Sequence, residues 1–196
     1  MCGRYTLRNY IKAEEQFNCE LSRSRNNIAP GQNILTITGA AQFIKWGFTP
    51  YWADKPFNII NARSETFNTK PSFKNAGRCL IPSDGWYEWK KESDKKVPYF
   101  HHLEDQVFCF AGVFGGFRGE MGCAILTMEA PVNLYDIHER APVIIEKGRY
   151  KDWLDGNLED IYSSVVYERV KYYPVSDRVN NPQFDDDECF KKVDEE

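Results

Sequence analysis

No stretch of about 18 apolar residues occurs in the 196-residue chain, so the sequence carries no candidate membrane-spanning helix. The opening MCGRYTLRNY lacks the apolar segment of a secretory signal, which points to a cytoplasmic protein with no membrane partner. None of the six cysteines (Cys2, Cys19, Cys79, Cys109, Cys123 and Cys189) forms a C-x-x-C pair, so zinc-ribbon and thioredoxin motifs are absent. In a reducing compartment these are expected to be free thiols. Cys79, Cys109 and Cys123 sit in apolar runs and read as small core residues. There are only three histidines, His101, His102 and His138, and no carboxylate or cysteine completes a ligand set around them, so neither metal nor cofactor is expected. Internal repeats and low-complexity linkers are also missing, which leaves a chain of one-domain length.

What is present is a β-rich pattern with high aromatic content, 15%, best read as a large aromatic core. A net charge of −4 argues weakly against a nucleic-acid partner. The average conceals an asymmetry. Residues 1–100 hold 15 Lys/Arg against 9 Asp/Glu, while residues 101–196 hold 10 against 20. A basic surface on the first half is therefore compatible with the acidic total. Residues 185–196 read as an acidic, solvated and poorly ordered tail after a domain spanning 1–184.

Asn33–Thr38 and Ala41–Trp46 flank Gly39-Ala40 as a hairpin. Arg78–Ile81 and Trp86–Lys90 flank Pro82-Ser83-Asp84-Gly85, a second turn signal. Val97–Leu103, Val107–Val113 and Gly122–Met128 are further strands. Helical spacing is confined to Tyr10–Phe17, to Tyr150–Leu154 with Gly156 as its stop, and to a candidate over 158–170. Many short strands and few helices predict an α+β single domain with a distorted, barrel-like antiparallel sheet and peripheral helices.

Five places could carry chemistry. Cys2 becomes N-terminal if Met1 is removed, and initiator removal is favoured when the second residue is small. Its α-amine would then have a reference pKa of about 7.7–8.0, far below that of lysine, and would sit beside a thiol. Such a pair condenses with an aldehyde to an imine that sulfur can close into a thiazolidine. An internal cysteine cannot do this, because its nitrogen is an amide. In Asn61-Ala62-Arg63-Ser64-Glu65, at the end of an apolar strand, Asn61 could orient an amine and Arg63 could hold a phosphate. Alternation along Trp86-Tyr87-Glu88-Trp89 puts Glu88 on the side of Trp86, where desolvation would raise its pKa towards that of a general acid or base. His138, ahead of Arg140 and an apolar run, has an ordinary pKa suited to proton transfer. His101 and His102 have no evident role. Finally, Trp46-Gly47-Phe48-Thr49-Pro50-Tyr51-Trp52 could be a loop that stacks on unpaired bases, or a core plug.

In this order the segments resemble the SRAP family (SOS response-associated peptidase, or abasic-site processing proteins). The resemblance runs from Cys2 to about Asn180. It rests on Met-Cys-Gly-Arg-Tyr, Asn27–Gln32, Trp46-Gly47-Phe48-x-Pro50-x-Trp52, Asn61–Glu65, Arg78–Pro82 with Gly85–Trp89, Leu126-Thr127-x-Glu129-Ala130, His138-x-Arg140-x-Pro142-Val143 and Val175-Ser176. It implies binding of single-stranded DNA at an abasic site and a thiazolidine crosslink through Cys2. Asn61 would orient the amine, Glu88 would act as acid/base, and His138 would donate a proton in sugar-ring opening or β-elimination. Arg4, Arg63 and Arg140 match the family's phosphate-binding positions, with Trp46 and Trp52 as base-contacting aromatics. Ala141 departs from the pattern, where a larger apolar residue is usual. The resemblance also implies autoproteolytic removal of Met1, and the protein is expected to be a cytoplasmic monomer, nucleoid-associated when bound to DNA. Two other readings stay open on the residues alone: a cysteine peptidase with an N-terminal nucleophile, and a non-catalytic binder of single-stranded or modified DNA.

Overall fold

The computed structural model of the chain describes residues 2–104, 106–157 and 165–193. In chain order the strands and helices are β1 (Arg4–Leu7), α1 (Tyr10–Phe17), β2 (Arg25–Ile28), β3 (Asn33–Ile37), β4 (Ala41–Trp46), β5 (Asn61–Arg63), β6 (Gly77–Ser83) and β7 (Gly85–Glu92). There follow β8 (Lys95–His102), β9 (Phe108–Phe117), β10 (Glu120–Glu129), α2 (Val132–Tyr135), β11 (Arg140–Pro142), β12 (Ile144–Ile145), α3 (Tyr150–Asp155) and β13 (Lys171–Pro174). This is the expected β-rich α+β domain.

One sheet has the order β13-β8-β7-β1-β2. The other runs β11-β10-β4-β3-β6-β9-β12, with β5 attached to β10, and it curls far enough for β9 to pair with β10 as well. The sheet is mixed rather than wholly antiparallel, because β10 pairs parallel with both β4 and β5. The expected hairpin of β3 and β4 forms, with Ile34 opposite Ile44 and Gly39 taking the turn at φ +107°. The two sheets meet through aromatic edges. Tyr5 of β1 contacts Trp46 of β4 at 5.5 Å and Phe110 of β9 at 5.9 Å, and Trp86 of β7 contacts Phe110 at 6.1 Å. Edge-to-face pairs of this kind add to the burial of their large apolar surfaces.

Pro82-Ser83-Asp84-Gly85 does not close a hairpin. Pro82 and Ser83 continue β6 against β9, and Gly85 opens β7 against β1, so the chain crosses from one sheet to the other at Asp84. The buried Asp84 carboxylate fixes this crossing. It accepts from the Thr6 hydroxyl at 2.5 Å and from the backbone N–H groups of Arg8 and Asn9 at 2.7 and 2.6 Å. Gly85 is required there, since a Cβ would lie 2.3 Å from the Phe100 ring and 2.8 Å from the His101 carbonyl oxygen.

The helix expected near the start is α1. The second is α3, stopped by Gly156 in the left-handed conformation at φ +80°. The candidate helix over 158–170 lies partly outside the described residues, and its end, Val165–Arg169, is a 3-10 turn.

The acidic segment expected as a solvated tail docks instead. Asp185 Oδ1 accepts from the backbone N–H groups of Asn26 and Asn27 at 2.6 and 2.8 Å, and Oδ2 faces Arg23 and Arg25 at 3.2 and 3.3 Å. Cys189 is buried, and Val193 N–H donates to the Pro174 carbonyl at 3.0 Å. Asp185 is thus neutralised by arginines of the basic first half, while Asp186 pairs with Arg178 and Glu188 with Lys191, pairings that a reading of local charge runs cannot register.

Candidate active site

β1 starts at Arg4, directly opposite Tyr87 of β7. From Glu88 onwards β7 therefore has no β1 partner, and the edge it leaves forms a notch at the amino-terminal end of the chain. Cys2 lies there, fully buried. Burial pushes its thiol pKa well up, and the charge of the nearby Glu88 adds to the rise. The positive amino terminus and a contact from Sγ to the Arg4 carbonyl at 3.9 Å oppose it. At neutral pH the sulfur is therefore a thiol rather than a thiolate.

Glu88 is 3% exposed. Burial raises its pKa to about 7, against the opposing charge and hydrogen bond of the chain's amino group. The face-sharing of Trp86 and Glu88 read from alternation is thus accompanied by the expected desolvation. A carboxyl poised near neutrality can both give and take a proton at physiological pH.

Glu88 and His138 line one cavity of about 430 Å³, together with Trp89, Lys96 and Asn180. His138 follows α2 and precedes β11. Its Nδ1 lies 3.0 Å from the backbone N–H of Arg140 and 3.2 Å from the Arg140 carbonyl oxygen, so the Arg140 backbone holds this side of the ring. Burial lowers the His138 pKa. The amino terminus and Lys96 lower it further, against the Arg140 carbonyl and Glu139. At neutral pH the ring is therefore mainly uncharged.

Asn61 begins β5 and pairs with Ile125 of β10. Its amide nitrogen and oxygen are both buried and have no hydrogen-bond partner among the described residues. Such a group costs stability in the resting protein, of the order of 1–3 kcal/mol, unless a ligand satisfies it. Asn61 is not on the wall of the Glu88–His138 cavity, but the adjacent residue ties it to the same core. The Ile60 carbonyl accepts from Trp46 Nε1 at 2.9 Å, and Trp46 packs on Tyr5 of β1.

The three arginines differ in their circumstances. Arg63 is exposed. Arg4 is half-buried and donates to the carbonyls of Gly3 and Asn180 at 2.8 and 3.5 Å. Arg140 is held by both Glu65 oxygens, at 2.5 and 2.9 Å, and by the Thr127 carbonyl at 2.7 Å. Trp46 corrects the expectation of a base-contacting residue. It is 0% exposed, with its indole N–H committed to Ile60, because alternation along β4 turns it into the core. Trp52, on the loop after β4, is 46% exposed and sits edge-on to Phe57 at 5.7 Å.

Sequence reasoning missed Lys96 and Asn180. Lys96 lay in an unremarked lysine run. Asn180 gave no local signal, and it reaches the cavity because its side-chain oxygen accepts from Trp89 Nε1 at 2.8 Å.

Comparison with known proteins identifies the family and the fold. The model of the SOS response associated peptidase (SRAP) family matches residues 1–182, and the chain belongs to that family. It is 34% identical over 214 residues to the abasic site processing protein YoqW of Bacillus subtilis (strain 168), covering 93% of this chain and 96% of that protein. It is 34% identical over 177 residues to the abasic site processing protein YedK of Escherichia coli (strain K12), covering 80% of this chain and 79% of that one. Among solved structures, a phage-related protein from Bordetella bronchiseptica superimposes with a TM-score of 0.71 at 30% identity, over 89% of this chain and 94% of its own. A protein from Bacteroides thetaiotaomicron shares the fold with a TM-score of 0.79 at 20% identity, over 98% of this chain and 100% of its own.

Proposed function

We propose that the protein processes abasic sites in single-stranded DNA by forming a covalent thiazolidine with Cys2 once Met1 has been removed. The relatives' names supply the lesion. The observation that carries the chemistry is Glu88, a buried carboxyl with a pKa near 7, set in the notch beside Cys2 and sharing a cavity with His138.

The steps balance with these groups alone. The closed sugar of an abasic site opens when a donor protonates the ring oxygen and a base takes the anomeric hydroxyl proton. The imidazolium form of His138, which becomes neutral on giving up its proton, and ionised Glu88, which becomes protonated, fit these roles. The freed α-amine of Cys2 adds to the aldehyde carbon, giving a carbinolamine. Loss of its hydroxyl as water needs an acid, which protonated Glu88 provides, and leaves the imine. The Cys2 sulfur then adds to the imine carbon, its proton passing to the nitrogen, and the five-membered ring closes. One water is lost overall.

Because burial keeps the sulfur protonated, the amine attacks first and the thiol closes the ring afterwards. The orphan amide of Asn61 is suited to hold the amine during attack, and its unmet hydrogen bonds give it a reason to do so. Phosphate contacts from Arg4 and Arg63 would place the strand without reading its sequence.

The deciding experiment is a denaturing gel of Met1-processed protein with an abasic oligonucleotide. A shifted band that Cys2→Ala removes supports the reading. Binding that disappears on denaturation would leave a non-covalent DNA binder. Turnover of amide substrates without any DNA adduct would identify a peptidase.

A further inference from the structure

Beyond the notch, β7 and β8 continue as a two-stranded arm that turns at Ser93-Asp94, with Ser93 at φ +48°. Across the arm Lys90 pairs with Val97, Lys91 with Lys96, and Glu92 with Lys95. Directly opposed residues share a face of the strand pair, so Lys91 and Lys96 point to the same side. Like charges in direct opposition destabilise a strand pair. Lys90 is relieved by an ion pair with Asp136 at 2.6 Å, and Lys95 has the acidic Glu92 as its cross-strand neighbour.

Lys91 and Lys96 have no such relief. Both are exposed, and neither side chain has a hydrogen bond or ion pair among the described residues. Lys96 also lines the cavity beside Glu88 and His138. An uncompensated cation pair thus stands at the mouth of a proton-transfer site. Arg140, beside His138, is already engaged by both Glu65 oxygens.

We propose that Lys91 and Lys96 form a phosphate clamp for the sugar–phosphate backbone of a nucleic-acid strand as it leaves the Glu88–His138 cavity. The clamp rests on the reading of that cavity as the place where a DNA sugar is processed. Two ammonium groups on one strand face act as point charges without the planar fork of arginine. They suit a repeating, sequence-independent anion better than a single fixed carboxylate. Their mutual repulsion in the free protein falls when phosphates arrive, which adds to affinity for any strand, damaged or intact.

The test uses wild-type protein and an intact single strand, which holds no aldehyde and so reports non-covalent binding alone. Affinity is measured by fluorescence anisotropy across a salt series. In the double variant Lys91→Gln/Lys96→Gln the slope of log K against log salt should shrink by about 1.4, at roughly 0.7 per phosphate released from a single strand. The double Lys→Arg variant should keep the slope. Circular dichroism and melting of each variant establish that the fold is intact.

An unchanged slope in the Gln variant overturns the clamp, and so does an absence of salt-dependent binding by the wild type. The denaturing gel separates the two readings. An adduct with an unchanged slope keeps the covalent chemistry and rejects the clamp. A reduced slope without an adduct keeps the clamp and rejects the covalent chemistry.

Discussion

Arg140 donates its backbone N–H to His138 Nδ1 at 3.0 Å while both oxygens of Glu65 hold its guanidinium. One residue thereby holds the orientation of the imidazole and ties β11 to the segment that follows β5. With Nδ1 held by the Arg140 backbone, Nε2 is the ring nitrogen not committed to Arg140.

His138→Asn tests this division of labour. The asparagine oxygen can take over the Arg140 N–H, but nothing replaces Nε2–H in the cavity. Adduct formation should slow by about 10²- to 10⁴-fold, the usual contribution of a positioned acid or base. Stability should change by less than about 1 kcal/mol, because the acceptor is restored. His138→Gln, which reaches further with an N–H donor, should keep more of the rate. Single-turnover gels give the rates, and an Asn variant reacting at the wild-type rate would remove His138 from the mechanism.

Glu88 makes stability depend on pH. Its folded pKa of about 7 lies above its ordinary value of 4.5. The folded state therefore binds the proton more tightly than the unfolded chain does. This contribution is fully present below about pH 4.5 and is lost as pH rises through 7. The shift corresponds to about 3 kcal/mol. Urea unfolding of wild type and Glu88→Gln from pH 4.5 to 8 should give a difference that moves by that order, the Gln variant gaining relative stability at high pH. A constant difference would mean that Glu88 does not titrate near neutrality.

The sequence made the strands legible because their apolar alternation and turn residues are local, as in the hairpin of β3 and β4. It also exposed Glu88, since sharing a face with Trp86 is a two-residue pattern. Pairings set by sheet switching were not legible. Nothing near Asp84 announces that its carboxylate binds Thr6, Arg8 and Asn9 some 75 residues earlier in the chain. Trp46 and Trp52 read alike in sequence, but one ends a strand facing the core and the other lies on an open loop. Asn180 enters the cavity only because the last stretch of chain folds back over β7.

The docked acidic segment has its own test. Asp185→Ala leaves the backbone N–H groups of Asn26 and Asn27 without their acceptor and removes the charge facing Arg23 and Arg25. Unmet buried donors cost about 1–3 kcal/mol each, so destabilisation of about 2–4 kcal/mol is expected in urea. Protection of Asn26 and Asn27 amides from hydrogen exchange should fall with it. A change of under 0.5 kcal/mol would mean that the segment is dispensable and the solvated tail was the better description.

Trp46 and Trp52 should separate stability from DNA contact. Trp46 is fully enclosed, with its indole N–H bonded to Ile60, so Trp46→Ala opens a large cavity. A cost of about 3–5 kcal/mol follows, seen as a large loss in urea midpoint. Trp52 is 46% exposed, and its N–H reaches the Pro71 carbonyl only at 3.4 Å. Trp52→Ala should therefore cost little stability. If the exposed ring stacks on an unpaired base, the same change should weaken binding to a single strand by about 1–3 kcal/mol. Equal affinity for wild type and Trp52→Ala would assign this loop to packing against Phe57 alone.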